Sequence, residues 1–220
     1  MVRRHFQSEL DSLRQALLAM GGIVEEQIRA TIVALSERDP RLAQNIIERD
    51  QQVNHYEVDI DEQCIRLLAL QHPQAQDLRF ITTAMKIVTD IERIGDQAVF
   101  IARRVNELND EPRVDLHIDV APMAEHAQQM LKDSLDAFVG RDVQLARRVR
   151  TADAVVDGLR EQIIRVLLTF MMQDPQTIPA ATALVLISRS LERVADHAAN
   201  IAEMVVYMVE GRMIRHRPDP

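Results

Sequence analysis

Two stretches decide the fold: Ile87 to Ala102 reads IVTDIERIGDQAVFIA, and Ile187 to Ala202 reads ISRSLERVADHAANIA. Ile, Glu, Arg, Asp, Ala, Ile and Ala coincide at a shift of 100 residues. In the first copy, Ile87, Ile91, Ile94, Ala98, Ile101 and Val105 follow a 4-3-4-3-4 spacing. In the second, Ile187, Leu191, Val194, Ala198, Ile201 and Val205 do the same. That spacing is the apolar seam of an amphipathic helix packed in an antiparallel bundle. The repeated seam therefore predicts an internally duplicated, all-α protein.

Further upstream, Ala34-Leu35, Arg38-Asp39, Leu42-Ala43 and Asp50 recur as Ala137-Phe138, Arg141-Asp142, Leu145-Ala146 and Asp153, shifted by 103. The change from 103 to 100 places a small deletion near Pro175 to Pro179. Each half then reads as three helices. The first half gives helices over 5–36, 39–71 and 75–108, the second over 121–139, 142–172 and 179–211. Asp39-Pro40 marks a helix start, since Asp caps exposed backbone N–H groups and Pro suits the first turn. His72-Pro73 marks the stop before the third helix. The domain plan is a first three-helix repeat over 1–108, a linker over 109–119, a second repeat over 120–212, and a mobile basic tail over 213–220. Two tandem three-helix bundles are expected, with six long helices.

Composition agrees with helices. Aromatic residues are 3% of the 220-residue chain, Trp is absent and there are ten Met. Strands favour aromatic and β-branched residues, whereas Met fills irregular gaps between packed helices. A net charge of −8 opposes nucleic-acid binding, which needs a basic surface. The single cysteine, Cys64, excludes an intramolecular disulfide and is expected to be buried. Gly21-Gly22, inside the first helix, suggests a kink or a close crossing. No signal-peptide core is seen in the first ten residues, and no segment reaches the ~20 apolar residues that span a bilayer. A cytoplasmic chain is expected, without direct membrane insertion.

The chemistry of the repeat lies in its acidic pairs. At ~100° per residue, Glu92 and Asp96 fall opposite the apolar seam, on an outward face, as do Glu192 and Asp196. Carboxylates at i and i+4 lie ~5–6 Å apart and repel; a hard cation with oxygen ligands would turn that repulsion into binding. Spacing alone is weak evidence, because Glu57/Asp61, Asp115/Asp119 and Asp157/Glu161 share it and solvated faces carry such pairs. Duplication strengthens it, since both pairs persist while neighbours such as Asp90/Ser190, Gln97/His197 and Phe100/Asn200 diverge. Asp50 and Asp153 are also kept, with Asp157 one turn after Asp153. They either face the pairs and complete two sites, or border the core. His197 reads as a hydrogen-bonding partner. No Glu-x-x-His, Walker loop, nucleophile elbow or zinc-type spacing occurs, so no catalytic machinery is visible. A carboxylate-bridged metal enzyme and a metal-free helical docking adaptor are the competing readings.

At IERIGD and LERVADHAANIAE the sequence strongly resembles the PhoU family, regulators of bacterial phosphate-specific transport. LLAMGGIVEEQI, IIERDQQVN, EVDIDEQCIR and TFMMQDPQTIP extend the likeness over residues 5–212. The resemblance implies paired three-helix bundles and metal-binding Glu/Asp-x-x-x-Asp motifs, matched by Glu92, Asp96, Glu192 and Asp196. The metals it implies are divalent or iron-type ions: Mg, Mn, Zn or Fe. It implies no catalysis, a homodimer, and two partners, the phosphate ABC transporter's ATPase subunit and a phosphate-sensing histidine kinase, through which the chain meets the inner membrane. The implied role is negative regulation of the phosphate-starvation response. The first motif departs from the family form at Phe100, where the second has Asn200, so the second site is expected to be the better one.

Overall fold

The computed structural model describes residues 2–71, 73–110 and 118–214. They form six helices: α1 (Val2–Glu37), α2 (Pro40–Gln71), α3 (Ala75–Asp110), α4 (Ala121–Gly140), α5 (Val143–Gln173) and α6 (Ile178–Glu210). A single 3-10 turn, Pro175–Thr177, links α5 to α6. No strand occurs among the described residues. The all-α, twice-three-helix architecture is as the seams predict. α3 runs two residues into the expected linker, whose residues 111–117 lie outside those described. At the other end Ile214, the second residue of the expected tail, is buried; residues 215–220 lie outside the described set.

The repeated Ala-x-x-x-Arg-Asp segment is a turn. Arg38 and Arg141 adopt left-handed backbone angles, φ 52° and 53°, which end α1 and α4. In each turn the Asp amide reaches back five residues: Asp39 N–H donates to the Ala34 carbonyl at 3.0 Å, and Asp142 N–H to Ala137 at 2.9 Å. This wraps up the orphan carbonyls of the helix end. The left-handed angle costs an Arg about 1–2 kcal/mol. The same Asp side chains then cap the following helix, Asp39 accepting from Leu42 N–H at 3.1 Å and Asp142 from Leu145 N–H at 2.9 Å. Each Asp thus closes one helix and opens the next.

α3 and α6 form the centre. Their seam residues, Ile87 to Val105 and Ile187 to Val205, are buried. Burying each of the larger ones contributes about 1.5–3 kcal/mol. The two helices run antiparallel: Arg79, near the start of α3, donates from Nε to the Met208 carbonyl near the end of α6 at 3.2 Å. At the opposite end, Leu108 shares a cavity lining with Ala180 and Leu184. α6 has 33 residues and α3 has 36. Because the ends coincide at a shift of 100, the missing three residues fall in the first turn of α6, where the deletion was expected.

α1 crosses α4 closely at Gly21, where a Cβ would collide with Leu135 Cδ1, while Gly22 faces open space. Gly21 therefore marks a close crossing rather than a kink. Beside it Phe80 stacks on Phe138 at 5.3 Å between centroids, and the Arg14 guanidinium lies over Phe80. Cys64 is buried, and burial pushes its thiol up to about 12. Among the described residues no helix is long and apolar enough to cross a membrane.

Candidate functional site

α3 has a wider buried arc than its seam alone suggests. Ala84, Val88, Gly95 and Ala102 form a second buried stripe beside the seam, and α2 packs along it. This corrects the placement of the acidic pairs. Glu92 and Glu192 are not opposite the core but on its shoulder, with side chains only 16% and 21% exposed. Asp96 is more open, at 46%.

The first cluster lies between α2 and α3. Gly95 lets α2 come close: a Cβ there would sit 3.2 Å from Asp50 Oδ1 and 3.3 Å from Val53 Cγ1. Asp50 therefore does face the α3 pair. Its carboxyl is raised above the usual range, first by burial and then by the charge of Asp96; the hydrogen bond from Asn54 (3.3 Å) and the charge of Arg103 oppose this. Glu92 is raised by burial and by Asp96, against Arg93, with Glu57 and Asp50 raising it further. Arg93 lies outside, 3.5 Å from both Glu92 and Asp96.

The second cluster joins Asp153 and Asp157 of α5 to Glu192 and Asp196 of α6. Asp153 is pushed up to about 6 by burial, then by Asp196, Asp157 and Glu192. Glu192 is raised by burial while Arg160, 3.1 Å from Glu192 Oε1, opposes; Asp196 and Asp157 raise it. Asp196 is raised by burial and by Asp157, against His197, Arg160 and Arg193. Further along α6, Glu203 is tied to Arg150 at 3.4 Å.

Both clusters open on one groove of about 800 Å³, lined by Asp96, Asp153 and Asp196 together with Arg93, Arg150 and Arg193. His197 does not turn to the acids. Its Nδ1 lies 2.8 Å from Asp90 Oδ1, and Asn200 Nδ2 donates to the same oxygen at 3.4 Å. These bonds join α6 to α3, and so one half to the other. Asn200, where the first repeat has Phe100, thus takes part in this contact between halves.

Sequence reasoning missed Glu57 and Arg160 as members of the clusters. The signal was present: Asp50, Asn54 and Glu57, like Asp153, Asp157 and Arg160, recur at i, i+4 and i+7, one face of a helix. The donor chemistry suits a cation, being all carboxylate oxygen with mutual repulsion to relieve. The geometry is not preformed, for among the described residues no three His, Cys, Asp or Glu groups stand close enough to hold an ion. Loading would require side chains on the two helices to turn inward.

The fold and the site define a class of duplicated all-α bundles with an acidic cluster on each half. The PhoU domain model matches residues 17–105 and 120–205, one match per repeat. The phosphate-specific transport system accessory protein PhoU homolog of Pseudomonas putida is 43% identical over 98% of this chain and 84% of that protein. The crystal structure of PhoU from Pseudomonas aeruginosa superposes with a TM-score of 0.88 at 43% identity, covering 94% of this chain and all of that one. That of the phosphate transport system regulatory protein PhoU from Streptococcus pneumoniae gives 0.86 at 32% identity, covering 94% and 98%. The chain belongs to the PhoU family.

Proposed function

We propose that this chain is a regulatory adaptor of phosphate uptake. It couples the ATPase subunit of a phosphate ABC transporter to a phosphate-sensing histidine kinase and keeps the starvation response off when phosphate is plentiful. The observation that carries this reading is family membership spanning both repeats, with relatives named as accessory or regulatory proteins of phosphate transport. It acts by binding rather than catalysis, as a homodimer on the cytoplasmic side, and reaches the inner membrane through its partners.

The acidic clusters serve as cation sites in this reading. Asp50, Glu92 and Asp96 would hold an ion on the first half, and Asp153, Asp157, Glu192 and Asp196 on the second. Such an ion, Mg, Mn, Zn or Fe, would supply positive charge with coordination positions left open to a partner's oxygen atoms. The chain's own residues set the terms. Repulsion among half-buried carboxylates disfavours the fully ionised cluster, and Arg93 and Arg193 at the rim offer donors to the same partner. A metal-free docking surface is the second reading, favoured by the absence of a preformed ligand trio.

The test uses cells grown in high phosphate. The chain, purified without chelators, should bring down the transporter ATPase and the kinase and contain metal. Asp96→Asn with Asp196→Asn should lose the metal and derepress a starvation reporter. Co-purification of neither partner would end the adaptor reading. Full repression by the metal-free double variant would favour plain docking.

A further inference from the structure

The two ends of the bundle are built from corresponding residues and are filled differently. At one end Phe80 of α3 stacks on Phe138 of α4, both buried. At the other, the residues in those places are Ala180, at the shift of 100, and Leu35, at the shift of 103. Both line a cavity of about 210 Å³ where α1 and α3 end and α4 and α6 begin. Two rings are thus missing there, and Leu184, in place of Ala84, returns only part of their volume. An apolar cavity of about 150 Å³ holds a benzene ring, so this one has room for a ring with a short substituent. Ile32, Leu108 and Val120 extend an apolar wall drawn from both halves. The polar groups behave differently from one another. Ser36 turns its hydroxyl to the Val33 carbonyl at 3.0 Å. Asp119 is exposed to water, and its Oδ1 accepts the Ala121 N–H at 2.9 Å. Arg38 is half-buried and donates from Nη1 to the Leu108 carbonyl at 3.1 Å, which leaves most of a guanidinium's N–H donors unused. No carboxylate pairs with it among the described residues.

We propose that this cavity binds a small aromatic carboxylate, its ring against Leu35 and Ala180 and its carboxylate on Arg38. The ring takes the place that the stacked phenylalanines fill at the opposite end, and burying it removes apolar surface from water. A half-buried guanidinium without a counter-ion favours an anion, and its planar fork matches a carboxylate with two parallel bonds. A bare inorganic anion would satisfy Arg38 but leave the apolar wall uncovered. A purely apolar ligand would leave Arg38 unpaired. The inference depends neither on the cation reading nor on the adaptor reading. Because the wall comes from both halves, a ligand seated there touches α1 and α6 together and tightens their junction at the end that lacks the aromatic stack.

The full-length chain is titrated with phenylacetate at pH 7.5 by isothermal titration calorimetry, with benzyl alcohol as the uncharged probe. The wild type should bind phenylacetate at a single saturable site per chain. Ala180→Phe, which copies Phe80 into the cavity, should remove the site from a protein that stays folded by circular dichroism. Leu35→Phe, which copies Phe138, is the second route if that variant misfolds. Arg38→Gln should weaken phenylacetate about tenfold or more, the scale of one charge-assisted contact, and leave benzyl alcohol unchanged. Phenylacetate bound undiminished by a folded Ala180→Phe or Leu35→Phe would place it elsewhere and overturn the proposal, as would no binding by the wild type. Benzyl alcohol bound by the wild type as tightly as phenylacetate would reduce the site to an apolar hole and refute the carboxylate class.

Discussion

Replacing Asp153 by Asn should make the metal-free protein more stable at neutral pH. Asp153 is the carboxyl most strongly raised in either cluster, from 3.8 to about 6. Because its folded value lies above the unfolded one, the native state holds the proton longer. Stability is therefore lost as pH rises through the window from about 4 to 6, and the whole penalty is present above it. The shift of about 2 units corresponds to roughly 3 kcal/mol at 1.36 kcal/mol per unit. Asp153 is only half-buried, so solvent screening reduces this to about 1–1.5 kcal/mol. Asn keeps the shape without the charge. In EDTA at pH 7.5 the variant should melt about 2–6 °C higher, followed by far-ultraviolet circular dichroism. At pH 4 the gain should shrink to about a fifth, because the folded carboxyl is then protonated and the unfolded one is already about two-fifths protonated. In saturating Mn²⁺ the sign should reverse, since ligand-linked stabilisation is lost with the ligand. A gain of the same size at both pH values, or a loss at pH 7.5 in EDTA, would show that Asp153 feels neither the burial nor the charges assigned to it.

Three other substitutions test how the halves are held together. Gly21→Ala should destabilise by about 1–3 kcal/mol through overpacking on Leu135, while Gly22→Ala, facing open space, should be neutral or stabilise by about 0.5–1 kcal/mol, as expected where Ala replaces Gly within a helix; like signs in urea titrations would refute the close α1–α4 crossing. Asp90→Ala, which removes the acceptor of both His197 and Asn200, should cost about 1–2 kcal/mol; a change in the urea midpoint too small to measure would mean that water replaces those bonds freely.

The helices were legible because their signals are local. Asp39-Pro40 and Asp142 announced helix starts that the structure places at Pro40 and Val143, and the 4-3-4-3-4 seams identified the faces of α3 and α6 that meet. The faces of the acidic residues were harder to read. Centring α3 on its large apolar residues overlooked Ala84, Gly95 and Ala102, which bury little area yet define a second contact stripe. A central helix touches several neighbours, so its buried arc is wide and its polar shoulders are narrow. That moved the Glu of each pair onto a half-buried shoulder, while Asp196 stays on the exposed face as expected. Asp50 and Asp153 were recognised as cluster candidates by being kept between halves. Arg160 and Glu57 were not, because what matters about them is that they differ. His197 reads from the sequence as a hydrogen-bonding partner, and it is one, but its bond to Asp90 over a hundred residues away leaves no trace in local spacing.

The antiparallel crossing of α3 and α6 carries a history. Two equivalent helices meeting head to tail are exchanged by a half-turn, so every contact at the crossing has a counterpart: Asp90 with His197 is answered by Ser190 with Gln97. A single ancestral repeat would bury the same seam only by meeting a second copy of itself, as a homodimer whose folding depended on concentration. Fusion of the two copies into one chain removed that dependence. It also freed the counterparts to diverge, since a residue no longer had to serve both sides of the axis at once. What an identical pair could not have acquired is a bond such as Asp90–His197 on one side of the axis alone, with Ser190 and Gln97 on the other.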